Sequence, residues 1–222
     1  EIEQLGVKNM CKGSDCQALN SSASSGKSGF GTVIYNGRNR YFFIIKLDEI
    51  YVCGGNDGDN ILSTFEKCSL KSRQWIPLPS LKYKRDELAA VVGPDHKIYV
   101  IGGLEDKQVD YCVFILRDST SLSTVERYDP VKNRWESVAP LNVPRRALAA
   151  VTLPDGIYAI GGFDGENYLS TVERYDELRN EWIFVGSMNY PRCTFSAVAS
   201  IDFQNIYVFG GFDNGPLKSV EK

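Results

Sequence analysis

His96 is the only histidine among the 222 residues, and it stands in the turn-like stretch Gly93-Pro94-Asp95 that precedes an apolar run. Imidazole chemistry needs company: a Ser or Cys to activate, or further ligands to share a metal. No such grouping surrounds His96, so the sequence assigns no metal, no cofactor and no nucleophilic catalyst. Gly26-Lys27-Ser28 resembles the end of a phosphate loop, but that motif needs a glycine where Ser21 stands and a strand before it. It reads as linker. Cys11, Cys16, Cys53, Cys68, Cys112 and Cys193 form no Cys-x-x-Cys pair, which points to reduced thiols and a cytoplasmic protein rather than a disulfide framework. The sequon Asn20-Ser21-Ser22 reads as chance. Asp57, Asp164 and Asp213 could suggest cation binding, yet each precedes Gly or Asn and reads as a turn former.

The elements that must position any site are visible as a repeat. Gly54-Gly55, Gly102-Gly103, Gly161-Gly162 and Gly210-Gly211 are spaced by 48, 59 and 49 residues. Each pair ends an apolar strand: IYVCGG, IYVIGG, IYAIGG, IYVFGG. Downstream come LSTFEKC, LSTVERYD, LSTVERYD and LKSVEK, then Trp75, Trp135 and Trp182. The second glycine precedes the tryptophan by 20 residues in the first and third units and by 32 in the second. Leu104 to Ser121 accounts for the excess: 18 residues where the neighbours carry six. This insertion is expected to project as a hairpin or flap, with Tyr111, Val113, Phe114 and Ile115 as its apolar residues.

Each unit reads as four short strands separated by turn signals such as Pro154-Asp155-Gly156 and Asp129-Pro130. The first strand is small and apolar (LAAVV, ALAAVT, SAVAS), and the last begins near the tryptophan. That taper suits blades which converge on an axis and splay at a rim. Four strands per ~50 residues is a propeller-blade signature.

Gly-Gly followed by a spaced Tyr and Trp (Tyr128 with Trp135, Tyr175 with Trp182) resembles the kelch family over roughly residues 40–222. Cys68 replaces the tyrosine in the first unit, and its opening strand, RYFFIIK, is bulky. The resemblance implies an all-β, kelch-type β-propeller of about three and a half four-stranded blades, near 40–80, 83–140, 145–188 and 192–222. The 1–30 segment reads as a polar, Ser-rich linker before a 31–222 partial propeller. Since kelch propellers usually have five to seven blades, the ring is incomplete and the chain reads as part of a longer protein.

A net charge of −3, from 25 basic and 28 acidic residues, argues against nucleic-acid or membrane partners. The longest apolar runs are far too short to span a bilayer, and no signal peptide is read. The remaining expectation is a non-enzymatic scaffold with a protein or peptide partner. Kelch resemblance offers substrate recognition for a cullin-type ubiquitin ligase, which needs an upstream BTB domain, or cytoskeletal tethering. The alternative is part of a propeller enzyme such as a sugar oxidase or epimerase.

Residues present in every unit are expected to serve the scaffold. Glu66, Glu126, Glu173 and Glu221 are read that way, as pairs or backbone acceptors between blades. In kelch relatives the loops after Gly-Gly and those entering the first strand share one face, where arginines grip acidic partners. On that basis Asn56, Arg85, Leu104, Arg145, Arg146, Phe163, Arg192 and Phe212 are the expected partner-binding residues, suited to an acidic peptide with an apolar anchor.

Overall fold

The computed structural model describes residues 16–18, 31–36, 39–46, 48–111 and 114–222. Apart from Cys16–Ala18, the expected 1–30 linker lies outside the described residues, and so do Cys112 and Val113. Side chains are described at 44, 48–105 and 120–222, so those of Tyr111, Phe114 and Ile115 lie outside them too.

Strands β1 (Cys16–Ala18), β2 (Gly31–Asn36), β3 (Asn39–Lys46), β4 (Glu49–Asn56), β5 (Phe65–Ser69) and β6 (Trp75–Pro77) form one antiparallel sheet in that order. Its last four strands are the first blade. The sequence pattern did not foresee β1 and β2, which extend this sheet beyond β3; Cys16–Ala18 falls in the expected linker. The second blade is β7 (Ala89–Val92), β8 (Ile98–Ile101), β11 (Val125–Asp129) and β12 (Arg134–Val138). Between β8 and β11, β9 (Leu104–Tyr111) and β10 (Phe114–Ser121) pair as a hairpin of their own. The length excess in the second unit is therefore a hairpin, as its position between strands suggested. The third blade is β13 (Ala149–Leu153), β14 (Gly156–Ile160), β15 (Thr171–Asp176) and β16 (Glu181–Ser187). The fourth holds three strands: β17 (Ser196–Ala199), β18 (Ile206–Phe209) and β19 (Val220–Glu221). No helix occurs among the described residues.

First strands of successive blades lie side by side, β3 by β7, β7 by β13 and β13 by β17. The small residues of β7, β13 and β17 permit that convergence. The core lies between blades, because the period of two in a strand sends alternate side chains to opposite neighbours. Along β8, Ile98 and Val100 join Tyr51, Cys53 and Phe65 of the first blade. Tyr99 and Ile101 join Ile157, Ala159 and Tyr175 of the third. Ile160 packs in turn with Val208 of the fourth. Both faces of a central blade are thus buried, which is why its second strand reads as a continuous apolar run. On the fourth blade Phe209 and Val220 are 43% and 58% exposed, whereas Ile101 and Val125, their counterparts in the second, are 0% and 1% exposed.

Tryptophans tie the outer edges together. The Trp135 indole N–H donates to the Pro79 carbonyl at 2.7 Å and that of Trp182 to the Ala139 carbonyl at 3.0 Å, each across a blade boundary. Phe65 meets the Trp135 ring edge-on at 4.8 Å. Cys53, Cys68 and Cys193 are buried and form no disulfide, and burial pushes the Cys53 thiol up to about 12.

Trp182, 5% exposed, fills the boundary between the second and third blades. Trp182→Ala should lower unfolding free energy by about 3–5 kcal/mol, read from urea denaturation against the unsubstituted chain. A loss below about 1 kcal/mol would show that this boundary does not depend on the indole.

Candidate partner-binding face

Each Gly-Gly pair ends its strand in a conformation that favours glycine: φ is +56° and +94° at Gly54 and Gly55. A Cβ on Gly54 would come 2.6 Å from the Arg85 carbonyl oxygen, and one on Gly161 2.8 Å from that of Arg192. The close approach is used. Gly55, Gly103 and Gly162 donate their N–H to the carbonyls of Arg85, Arg145 and Arg192 at 2.8, 2.9 and 2.8 Å. Each of these arginines enters the next blade.

Its side chain then grips that next blade. Arg85 donates through Nη1 to the carbonyls of Gly102 (2.8 Å) and Thr124 (3.1 Å), and through Nη2 to Thr124 Oγ1 (3.1 Å) and Glu126 (2.7 Å). Arg145 repeats the set with Gly161, Thr171 and Glu173. Arg192 makes three of the four bonds, to the Gly210 carbonyl, Ser219 Oγ and Glu221. Each carboxylate also accepts two backbone amides of the segment leading to its arginine: Lys82 and Tyr83, Asn142 and Val143, Asn189 and Tyr190. Burial pulls the Arg85 and Arg145 guanidiniums down from their usual range, opposed by Glu126 and Glu173.

This corrects the expectation for Arg85, Arg145 and Arg192. All three are fully buried, engaged within the fold and out of a partner's reach. The acidic-peptide grip expected of them is lost with them. Glu126, Glu173 and Glu221 are the inter-blade acceptors expected of the recurring glutamates. The hydroxyls of Thr124, Thr171 and Ser219 were missed, although they recur in the same strand motif.

Beyond the lock, the residue after the arginine meets the residue after Gly-Gly, with Asp86 and Cys193 buried and Arg146 half-exposed. These bridge within each blade: Asp86 with Leu104, Arg146 with Phe163, Cys193 with Phe212. Leu104 is half-buried. Asn56 turns inward on its own loop, its Oδ1 accepting the Gly58 N–H at 2.7 Å. Arg146 stays half-exposed, its guanidinium 5.1 Å from the Phe163 ring centre and its Nε 3.7 Å from the Glu87 carboxylate. Phe163 and Phe212 are linked by a ring the sequence reading passed over. Tyr168 lies 5.1 Å from Phe163 and 6.0 Å from Phe212. The result is a ladder, Arg146–Phe163–Tyr168–Phe212, across the third and fourth blades. At the base of the β9–β10 hairpin, Ser121 Oγ donates to the Phe163 carbonyl at 3.0 Å.

Of the recurring aspartates, Asp57 and Asp164 hold turns with their carboxylates, whereas that of Asp213 accepts only from Asn214 Nδ2. Asp57 accepts the amides of Asp59 and Asn60, and Asp164 those of Glu166 and Asn167. Those donors hold the Asp57 carboxyl below its usual range; at Asp164 burial opposes them and is outweighed. His96 occupies the 93–97 turn with φ +62°. Among the described residues no group of three or more His, Cys, Asp or Glu could hold a metal, and no helix is long and apolar enough to cross a membrane.

The two roles assigned to neighbouring arginines separate in a measurement. Arg145→Ala strands the buried Glu173 carboxylate and should cost about 3–5 kcal/mol; Arg146→Ala should cost under about 0.5 kcal/mol. Equal shifts of the two urea midpoints would contradict this assignment.

The chain matches the kelch motif model three times, at residues 47–82, 88–142 and 144–189. It is 36% identical over 107 residues to human Kelch-like protein 28, covering 48% of this chain and 18% of that protein. It is 32% identical over 127 residues to the Kelch repeat and BTB domain-containing protein 1 of ectromelia virus, covering 54% and 20%. To human Kelch-like protein 4 it is 54% identical over 44 residues, 20% of this chain and 6% of the relative. The matched stretches thus span a fifth or less of these relatives. The solved structure of YjhT superposes with a TM-score of 0.62 over 83% of this chain and 72% of that one, at 17% identity, a likeness of fold. With its matched motifs covering more than half its length, the chain belongs to the kelch-motif family.

Proposed function

We propose that this chain is a non-enzymatic binding module that engages a protein partner through the Gly-Gly loops of its third and fourth blades. The carrying observation is the ladder itself, a row of stacked rings on the loop face that begins beside the Arg146 guanidinium and ends in Phe212 at 40% exposure. Aromatic rings beside an arginine on a rigid face have the composition of an interaction hot spot. Among the relatives are Kelch-like proteins and a protein named for kelch repeats with a BTB domain. That kinship supports a role as the recognition part of a larger adaptor, with ubiquitin-ligase substrate recognition or cytoskeletal tethering as its uses. Buried thiols outside any disulfide suit the reducing cytoplasm.

In a pulldown from lysate, Phe163→Ala combined with Phe212→Ala should weaken capture of the partner by about 2 kcal/mol or more, with the melting temperature nearly unchanged. Val131→Ser, 93% exposed in the turn between β11 and β12 at the other end of the blade, should leave capture intact. Loss with the Val131 variant alone would overturn this choice of face.

A further inference from the structure

The charge left around the ladder has the opposite sign to the one the recurring arginines suggest. On the loops of the second, third and fourth blades, Glu87, Glu105, Asp164, Glu166 and Asp213 are exposed or half-exposed. Against them, among the residues whose side chains are described, stand Lys84 on the loop into the second blade, Arg146 and, at the far end of the fourth blade's loop, Lys218. Arg146 is already engaged by Glu87 at 3.7 Å and by the Phe163 ring. The turn amides that keep the Asp164 carboxyl below its usual range keep that charge present near neutrality. An acidic segment arriving at the ladder itself would meet Arg146, already paired, and the carboxylates of Asp164, Glu166 and Asp213.

The ladder also displays the kind of contact it makes. A guanidinium at 5.1 Å from a ring centre is within cation–π range, and Arg146 already occupies that place at the Phe163 end. Phe212, 40% exposed, offers a ring at the other end with Asp213 next to it in sequence. Resting on the binding reading above, we propose that the ladder receives a basic, arginine-bearing segment of a protein partner. One guanidinium of that segment extends the stack over Tyr168 and Phe212, and an apolar residue packs along the rings. Glu166 and Asp213 supply the complementary charge.

The probe is a displayed library of random linear peptides, selected on the 222-residue chain and counter-screened on Phe212→Ala. Peptides that depend on the ladder should carry arginine together with an apolar residue. Their affinity should fall roughly two- to thirtyfold on Phe212→Ala, the range of an exposed to desolvated cation–π contact. It should fall again as salt is raised, since exposed charges are screened. Glu166→Lys with Asp213→Lys should shift selection toward acidic peptides, a reversal that a folding defect cannot produce. Ladder-dependent peptides rich in Asp and Glu on the unsubstituted chain would overturn the basic partner and leave the binding face standing. Recovery of no ladder-dependent peptide would overturn both.

Discussion

A guanidinium enclosed between two blades must replace the water it gives up, and the architecture follows from how its two Nη groups are met while Nε is left without a partner. Withdrawing an ion pair from water costs several kcal/mol per ion even after relaxation. Arg145 offsets this with four hydrogen bonds to Gly161, Thr171 and Glu173; bonds involving a charged group return about 1.5–3 kcal/mol each. The terms are of similar size, so the pair is weak as a source of net stability. Its effect is geometric. The same residue accepts the Gly103 N–H through its carbonyl, and Glu173 accepts the amides of Asn142 and Val143. None of these groups is satisfied unless two blades and their connecting segment stand in one arrangement.

That arrangement orders the loop face from beneath. Beyond each lock, the Ala147 N–H donates to the Glu87 carbonyl and the Thr194 N–H to the Ala147 carbonyl, at 2.8 and 2.9 Å. Backbone hydrogen bonds therefore step from blade to blade along the rim. Glu87, Ala147 and Thr194 adopt φ of 50°, 49° and 50°, a region costly for non-glycine residues and held only where surroundings over-determine it. Three different side chains share one backbone conformation. The lock specifies the path, and the side chains along it are free to differ.

This division explains what was legible from sequence. The strands, the Gly-Gly ends and the rim tryptophans could be read because they recur and because strand periodicity has a direct physical meaning. The hairpin announced itself as excess length. Arg85, Arg145 and Arg192 were misread because a loop arginine ordinarily stays solvated, and their partners lie 41, 28 and 29 residues away. Only the matching recurrence of the arginine and glutamate sets signals the pairing, once the hairpin is discounted. Tyr168 left no such signal. Its counterparts are Ile61 and Pro216, and the three share only a backbone bridge to the residue after Gly-Gly.

On the proposed binding reading, stability and recognition are carried by different surfaces of the same blades. The apolar cores and tryptophans occupy the sheet faces and outer edges, where each blade meets its neighbour. The ladder lies at the strand ends, where the Gly-Gly turns have already closed the backbone's hydrogen bonds. Exchanging a ring there removes no wall of a core, and exchanging a core residue shifts the ladder only by moving a whole blade. Side chains after Gly-Gly can therefore differ widely, from Asn56 and Leu104 to Phe163 and Phe212, on one unchanged backbone. Such a scaffold can be refitted to a new partner through loop residues alone, because the lock that positions them uses none of their side chains.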